Sequence, residues 1–293
     1  MSFSSDVKSE LCRLPVAKQC CVTAELYGFM LYANQFGKDK IKIHLDNSAV
    51  RKRMFMLLRK ALKNVYIVDD GTGNVVVEDA DVIEKIYDLF GYEYNNASLH
   101  INRAVVEEDC CREAFIRGAF LASGYLSNPE KEYHMEFVTT HYNISSELLI
   151  LLDEMEFSAK MINRRGNYVI YYKGSEMIEK MLTFMGASNS AMELMLKKVE
   201  KNLKNNINRK VNCEISNLTK TADASAQQIE AIYTLKEKNK YDELPKPLKE
   251  VAELRLANPE LTLGELAQMC VPPITKPGLS GRMRKIIKLA KDA

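Results

Sequence analysis

The strongest constraint on this chain is that one stretch of it occurs twice. Cys20 and Cys21 precede Ala24, Leu26, Gly28 and Leu31, and Cys110 and Cys111 precede Ala114, Ile116, Gly118 and Leu121, at a constant offset of 90 residues. Each copy reads as a long apolar helix, over about residues 17–35 in the first, with a glycine at its middle. Glycine inside a helix costs about 1 kcal/mol relative to alanine. Its presence at the same register in both copies predicts two helices packed closely across a pseudo-twofold axis.

The duplication extends beyond the helices. Ile41, Ile43 and Leu45 alternate with Lys42 and His44, a strand with one buried and one basic, polar face. Residues 48–62 have helical spacing through Val50, Met54, Leu57, Leu58 and Ala61. Residues 65–68 and 75–77 flank Asp70, Gly71, Thr72 and Gly73 as a hairpin, and a helix follows from Ala80 to Phe90. The same order returns after residue 110: a helix to about Ser127, a strand over Tyr133–Val138, and a helix over Asn143–Phe157. A hairpin turning at Arg164–Asn167 and a helix over Ser175–Met185 complete the second copy. An opening helix over Ser5–Leu14 stops at Pro15, and residues 98–105 are expected to be extended.

Beyond Gly186 the character changes. Residues 196–293 hold 19 Lys+Arg against 12 Asp+Glu, whereas residues 1–195 hold 22 against 27, so the net charge of +2 conceals a basic C-terminal part suited to a polyanion. A basic helix over Ala191–Asn208 is followed by residues 208–220, whose Asn208, Arg209 and Lys220 can bond phosphates or base edges, the alternative being a capped helix junction. Residues 246–257 form a helix, Thr262 caps a short one over Leu263–Met269, and Pro277 suits the first position of a last helix that runs to about Ala290. This is the helix-turn-helix layout. Residues 276–291 hold six cations and no acid, while Leu279, Met283, Ile286, Ile287 and Ala290 form an apolar side. Lys276, Ser280, Gly281 and Arg282 lie in the first turns and are placed to reach base edges, and Arg284, Lys285 and Lys288 to hold phosphates.

Several other chemistries find no support. The seven cysteines include no CxxC or CxxxC spacing, so no metal site and no cofactor is expected, and the two adjacent pairs are read as reduced, buried packing near the repeat interface. His134 and Glu136 lack the remainder of a zinc deaminase signature and are expected as a surface pair on a strand. Residues 70–73 lack the Lys-Ser/Thr of a phosphate loop. No secretion signal and no run of roughly 18 apolar residues is present, which predicts a cytoplasmic chain away from membranes.

Residues 116–124, with Gly118 and Gly124, resemble the LAGLIDADG motif of homing endonucleases, and the first copy, residues 26–34, resembles it more weakly. The resemblance implies α+β architecture, each repeat an αββαββα half. In that family the residue before the last glycine is a metal-binding acid; here those positions are Ala33 and Ser123, which cannot hold Mg²⁺. Glu25 lies eight residues before Ala33, about 12 Å along a helix, too far to substitute.

The whole chain is similar to the WhiA family of bacterial transcription regulators. The resemblance is carried by residues 2–5, Cys110 and Cys111 before residues 115–121, and Asn208, Arg209, Asn212, Glu214, Asn217, Lys220 and Thr221. At the C-terminus it is carried by residues 263–266, Thr275, Lys276, Gly278, Arg282, Arg284 and Lys285. It implies a degenerate LAGLIDADG domain over residues 1–188 (repeats about 17–90 and 108–186), a helical linker over 189–207 and an all-α helix-turn-helix domain over 208–293. It further implies a monomeric, nucleoid-associated regulator of cell division and chromosome segregation, of sporulation in some relatives, that binds double-stranded DNA and meets RNA polymerase or another regulator. The family usually has serine where Pro277 stands and histidine where Gly281 stands. The rival readings are a metal-dependent LAGLIDADG-type endonuclease and a protein-interaction scaffold in cell division.

Overall fold

In a computed structural model, which describes residues 2–62, 68–69, 72–92 and 99–292, the chain divides into two units, Met1–Asn202 and Leu203–Ala293. The first opens with α1 (Phe3–Arg13), begun by the Ser2 side chain accepting from the Ser5 N–H and ended ahead of Pro15. The first repeat then runs α2 (Gln19–Leu31), β1 (Gln35–Phe36), β2 (Ile41–His44), α3 (Ser48–Ala61), β3 (Val68–Asp69), β4 (Asn74–Val77) and α4 (Ala80–Leu89). The second runs α5 (Asp109–Ser123), β5 (Gly124–Leu126), β6 (Met135–Thr139), α6 (Tyr142–Glu154), β7 (Lys160–Arg164), β8 (Asn167–Tyr172) and α7 (Ser175–Met185). Both halves are αββαββα.

Each half forms an antiparallel four-stranded sheet of the same order, β1-β2-β4-β3 and β5-β6-β8-β7. The alternation of residues 41–45 sets the register: Ile41 faces Val77 and Ile43 faces Val75, with all four side chains buried. In the second sheet Met135 faces Tyr172 and Phe137 faces Ile170, again on the core side. Most of the expected strand at 65–68 and the start of the turn at 70–73 lie outside the described residues.

The repeat helices are shorter than the apolar pattern predicts, because each gives way to an edge strand. After α2 the Asn34 side chain accepts from the His44 N–H at 2.7 Å, drawing the chain alongside β2. Residues 103–106 are a 3₁₀ turn rather than extended, begun by the Asn102 side chain accepting from Ala104 N–H at 3.0 Å.

Helix α2 is buried from Ala24 to Leu31, and α5 packs directly on it. A Cβ on Gly118 would lie 3.2 Å from Phe29 N and overlap the Glu25 carbonyl oxygen; one on Gly28 would lie 2.7 Å from Ala119 N and overlap the Phe115 carbonyl oxygen. Only glycine allows this backbone approach, and the large apolar surface it brings into contact outweighs the ~1 kcal/mol propensity cost at each position.

Beside the two glycines sits a buried charge cluster. Glu25 accepts from Arg53 at 2.7 and 3.0 Å and from Arg117 at 3.0 Å, and all three residues are buried. The remaining guanidinium donors reach backbone: Arg53 to the carbonyls of Cys12 and Leu14, Arg117 to that of Met185 at 2.7 Å. Five segments meet at one carboxylate. Unpaired, that buried charge would cost several kcal/mol.

Helix α8 (Ser188–Glu237) passes without interruption from the first unit into the second. This replaces the expected break at residues 208–220. The segment contains no Gly or Pro, and Thr219 and Thr221 bond back to the carbonyls of Ile215 and Asn217, so its asparagines sit inside a helix rather than at a cap. Residues 202–220 are exposed throughout.

The second unit holds the end of α8 with α9 (Lys246–Ala257), α10 (Leu263–Met269) and α11 (Lys276–Lys291) around a small core of Ile232, Leu235, Val251, Leu266, Leu279, Met283 and Ile286. Arg255 is buried inside it. Its guanidinium donates to the Gln228 side chain at 2.9 Å and to the carbonyls of Asn258, Pro259 and Leu261, which fixes the turn from α9 to α10.

Candidate nucleic-acid interface

Two side-chain caps fix the starts of α10 and α11. Thr262 Oγ1 accepts from Glu265 N–H at 3.3 Å, while the Glu265 carboxylate accepts from Thr262 N–H at 2.7 Å, a reciprocal capping box. That backbone bond, with the one to the Thr262 side chain, holds the Glu265 carboxyl below the usual carboxylate range. Thr275 Oγ1 then accepts from Gly278 N–H at 3.3 Å, so α11 begins at Lys276 and Pro277 takes the second helical position, one later than expected.

Along α11 the apolar residues Leu279, Met283, Ile286 and Ala290 are buried and fix which face points out. Arg284, Lys285, Lys288 and Lys291 are exposed on the opposite side; Lys276 is exposed at the first helical position, in register with Met283 and Ala290 rather than within the stripe. Ser280 and Arg282 are half-buried at the margins of this stripe, so the residues expected to read bases flank its centre and those expected to hold phosphates occupy it. Lys291 extends the stripe in the i, i+3, i+4 pattern of 284, 288 and 291, a signal the sequence already carries. Among the described residues none of these cations is paired with an acid, so their charge is directed outward.

Asn208, Arg209 and Lys220 are exposed on α8. Arg209 and Lys220 are eleven residues apart, three helical turns, and so share one side of the helix, with Asn208 turned roughly 100° from Arg209. By contrast Lys197 and Lys198 are spent inside the first unit, on Glu193 at 3.0 Å and Glu179 at 3.5 Å.

At the C-terminal ends of α2 and α5, where the LAGLIDADG acids would stand, there is a cavity of about 280 Å³ lined by Tyr32, Ala33, Asn34, Ser123, Thr139 and Asn167 among others, with no carboxylate in its wall among the described residues. Ser123 Oγ is turned back to the Ala119 carbonyl at 3.3 Å. The donor set does not fit a hard divalent cation, which takes carboxylate and other oxygens. On the second sheet Glu136 is buried, not a surface residue as expected: His134 lies 3.0 Å from it and Arg164 3.2 Å, because β6 is a central strand of its sheet.

Comparison with known proteins agrees with this architecture. Residues 112–204 match the model of the WhiA LAGLIDADG-like domain and residues 207–290 that of the WhiA C-terminal HTH domain. The chain is 36% identical to the probable cell division protein WhiA of Alkaliphilus metalliredigens, covering 99% of this chain and 98% of that one. It is 37% identical to the corresponding protein of Thermoanaerobacter pseudethanolicus, with the same coverage. The chain belongs to the WhiA family. The crystal structure of full-length WhiA from Thermatoga maritima superposes with a TM-score of 0.60 at 25% identity, over 100% of this chain and 99% of that one.

The WhiA fold, a LAGLIDADG-like domain followed by a helix-turn-helix, is therefore the fold of this chain, and its LAGLIDADG half is degenerate at both metal positions. Of the two departures from the WhiA pattern, Gly281 faces open space: a Cβ there would meet nothing within 4 Å. Packing does not require glycine at that place. Together with exposed Pro277 it leaves the N-terminal half of the stripe low, with Arg282 at its margin as the cation nearest to it.

Proposed function

We propose that this chain is a sequence-specific DNA-binding regulator that does not cut DNA. The observation that carries the reading is the outward stripe of Arg284, Lys285, Lys288 and Lys291 on a capped helix whose other side is locked into a core. A helix so held enters the major groove as a rigid body, with Lys276 and Arg282 near its start directed to base edges and the outer cations to the backbone. Arg209 and Lys220 add phosphate contacts from α8. The functional division we assign is a duplicated scaffold over residues 1–188, a linker over 189–207 and a DNA-binding part over 208–293.

As in the relatives' names, the process served is cell division, through transcription and chromosome segregation, with double-stranded DNA and RNA polymerase or another regulator as partners. That none of the described residues brings a carboxylate to the wall around Ala33 and Ser123 supports a non-catalytic role. Duplexes selected from a fragmented genomic library by the full-length protein, then incubated with it in Mg²⁺ or Mn²⁺, test both halves of the proposal. Enrichment of a common sequence with every strand intact is expected; metal-dependent cleavage or no enrichment contradicts it.

A further inference from the structure

Each repeat helix begins with its pair of adjacent cysteines, and the packing of α2 on α5 brings the two pairs together. The Sγ atoms of Cys20, Cys21, Cys110 and Cys111 all lie within 4.8 Å of one another, with Cys20 and Cys21 4.0 Å apart. We propose that these four thiols bind one zinc ion, which ties together the N-terminal ends of the two repeat helices.

The geometry suits a single ion. A tetrahedral Zn–S₄ centre has bonds of ~2.3 Å and therefore S···S edges of about 3.8 Å, within an ångström of the separations found here. An iron–sulfur cluster puts several atoms between its thiolates, and a cage this tight leaves no room for them. Sulfur-only donors select zinc over the hard cations that the emptied nuclease positions once served. All four ligands come from the protein, so the site is closed and structural, with no position for substrate.

The surroundings suit the charge. Four thiolates on one divalent ion carry a net charge of −2. The cysteines occupy the second and third positions of both helices, and neither helix start is capped by a side chain, so the positive end of each helix faces the sulfurs. Lys18 Nζ lies 3.9 Å from Cys110 Sγ. Of the four only Cys111 is buried and Cys20 is exposed, so the pairs are not the buried packing expected and an ion can reach them from solvent.

The expectation of no metal site rested on the absence of CxxC spacing. The fold supplies the proximity that spacing does not, by superposing two segments 90 residues apart. Ala33 lies twelve residues beyond Cys21, so this site is about 18 Å along the seam from the emptied metal positions.

The test uses the full-length protein, reduced, loaded with Zn²⁺ and passed over a desalting column, with bound metal measured by elemental analysis. One zinc per chain is expected, and Co²⁺ in its place should give thiolate charge-transfer bands and the intense visible absorption of a tetrahedral centre. The double substitution Cys20→Ser with Cys110→Ser should lower bound zinc at least tenfold, while Cys12→Ser with Cys213→Ser should leave it unchanged. If the first variant does not fold, alkylation of the native chain decides: zinc should protect four thiols, and those at 20, 21, 110 and 111 by peptide mapping. A chain that retains no zinc, zinc retained by the first variant, protection of other thiols, or a disulfide among the four in place of metal would each overturn the proposal.

Discussion

Glu25 of the first repeat helix accepts from Arg117 of the second at 3.0 Å, in a site where the carboxylate is wholly out of contact with solvent. The same carboxylate holds Arg53, so one acid bridges two buried cations, whose other donors anchor the ends of α1 and α7 on backbone carbonyls. Its removal leaves both guanidinium groups short of a partner. Glu25→Ala is expected to lower unfolding free energy by about 3 to 5 kcal/mol, read from urea denaturation of the first unit's transition. A loss below about 1 kcal/mol would mean that solvent reaches the site.

The seam beside it depends on backbone contact. Gly118→Ala gains about 1 kcal/mol in helix propensity but drives its methyl into the Glu25 carbonyl. Separation of the helices should win, for a net destabilisation of about 1 to 3 kcal/mol. Gly281→Ala, which meets open space, should instead stabilise α11 by up to about 1 kcal/mol. Thermal unfolding of the two variants should therefore shift in opposite directions; shifts of the same sign contradict the packing described.

Burial lowers the Lys8 ammonium to about 8, against weaker support from Cys12 and Asp46, and Lys8 also donates to the Leu121 carbonyl at 3.3 Å and lies 5.7 Å from the Phe120 ring centre. Because the folded pKa lies below the unfolded value of 10.5, the penalty for burying the charge is fully present below pH 8. It is relieved as the pH rises from 8 toward 10.5, where the unfolded chain binds more protons. Relative to Lys8→Met, the native chain should gain stability across that window in denaturant titrations. Parallel curves for the two proteins would show that Lys8 keeps its ordinary value.

Much of this was legible in the sequence, because the signals were local or repeated. The offset between the two copies predicted a doubled helix, strand, helix, hairpin, helix order, to which the family resemblance added the edge strand of each αββαββα half, and Thr262, Pro277 and the apolar spacing of 279–290 predicted the helix-turn-helix. What was hidden depends on segments far apart in the chain. Glu25 could be measured against Ala33 along one helix, but nothing in the sequence joined it to Arg53 and Arg117. The four cysteines had no ligand spacing until α2 met α5. The unbroken α8 was obscured because asparagine-rich residues 205–217 resemble a junction, whereas the absence of Gly and Pro from 188–237 was the better guide.

The division of labour on α11 is open to direct dissection. Arg282→Ala should relax preference at one base position at a cost of about 1 to 3 kcal/mol, whereas Lys288→Ala should weaken all duplexes alike. Competition between the selected duplex and single-base variants separates the two patterns. Equal losses on every sequence for both substitutions would assign Arg282 to the backbone.

The most direct measurement is the salt dependence of duplex binding by the full-length protein, native and with Arg284→Ala, Lys285→Ala and Lys288→Ala combined. If α11 is the DNA-binding element, affinity of the native protein falls steeply between about 50 and 200 mM salt, and the triple variant binds more weakly with a slope reduced by about three. Equal affinity and slope for the two proteins would contradict it.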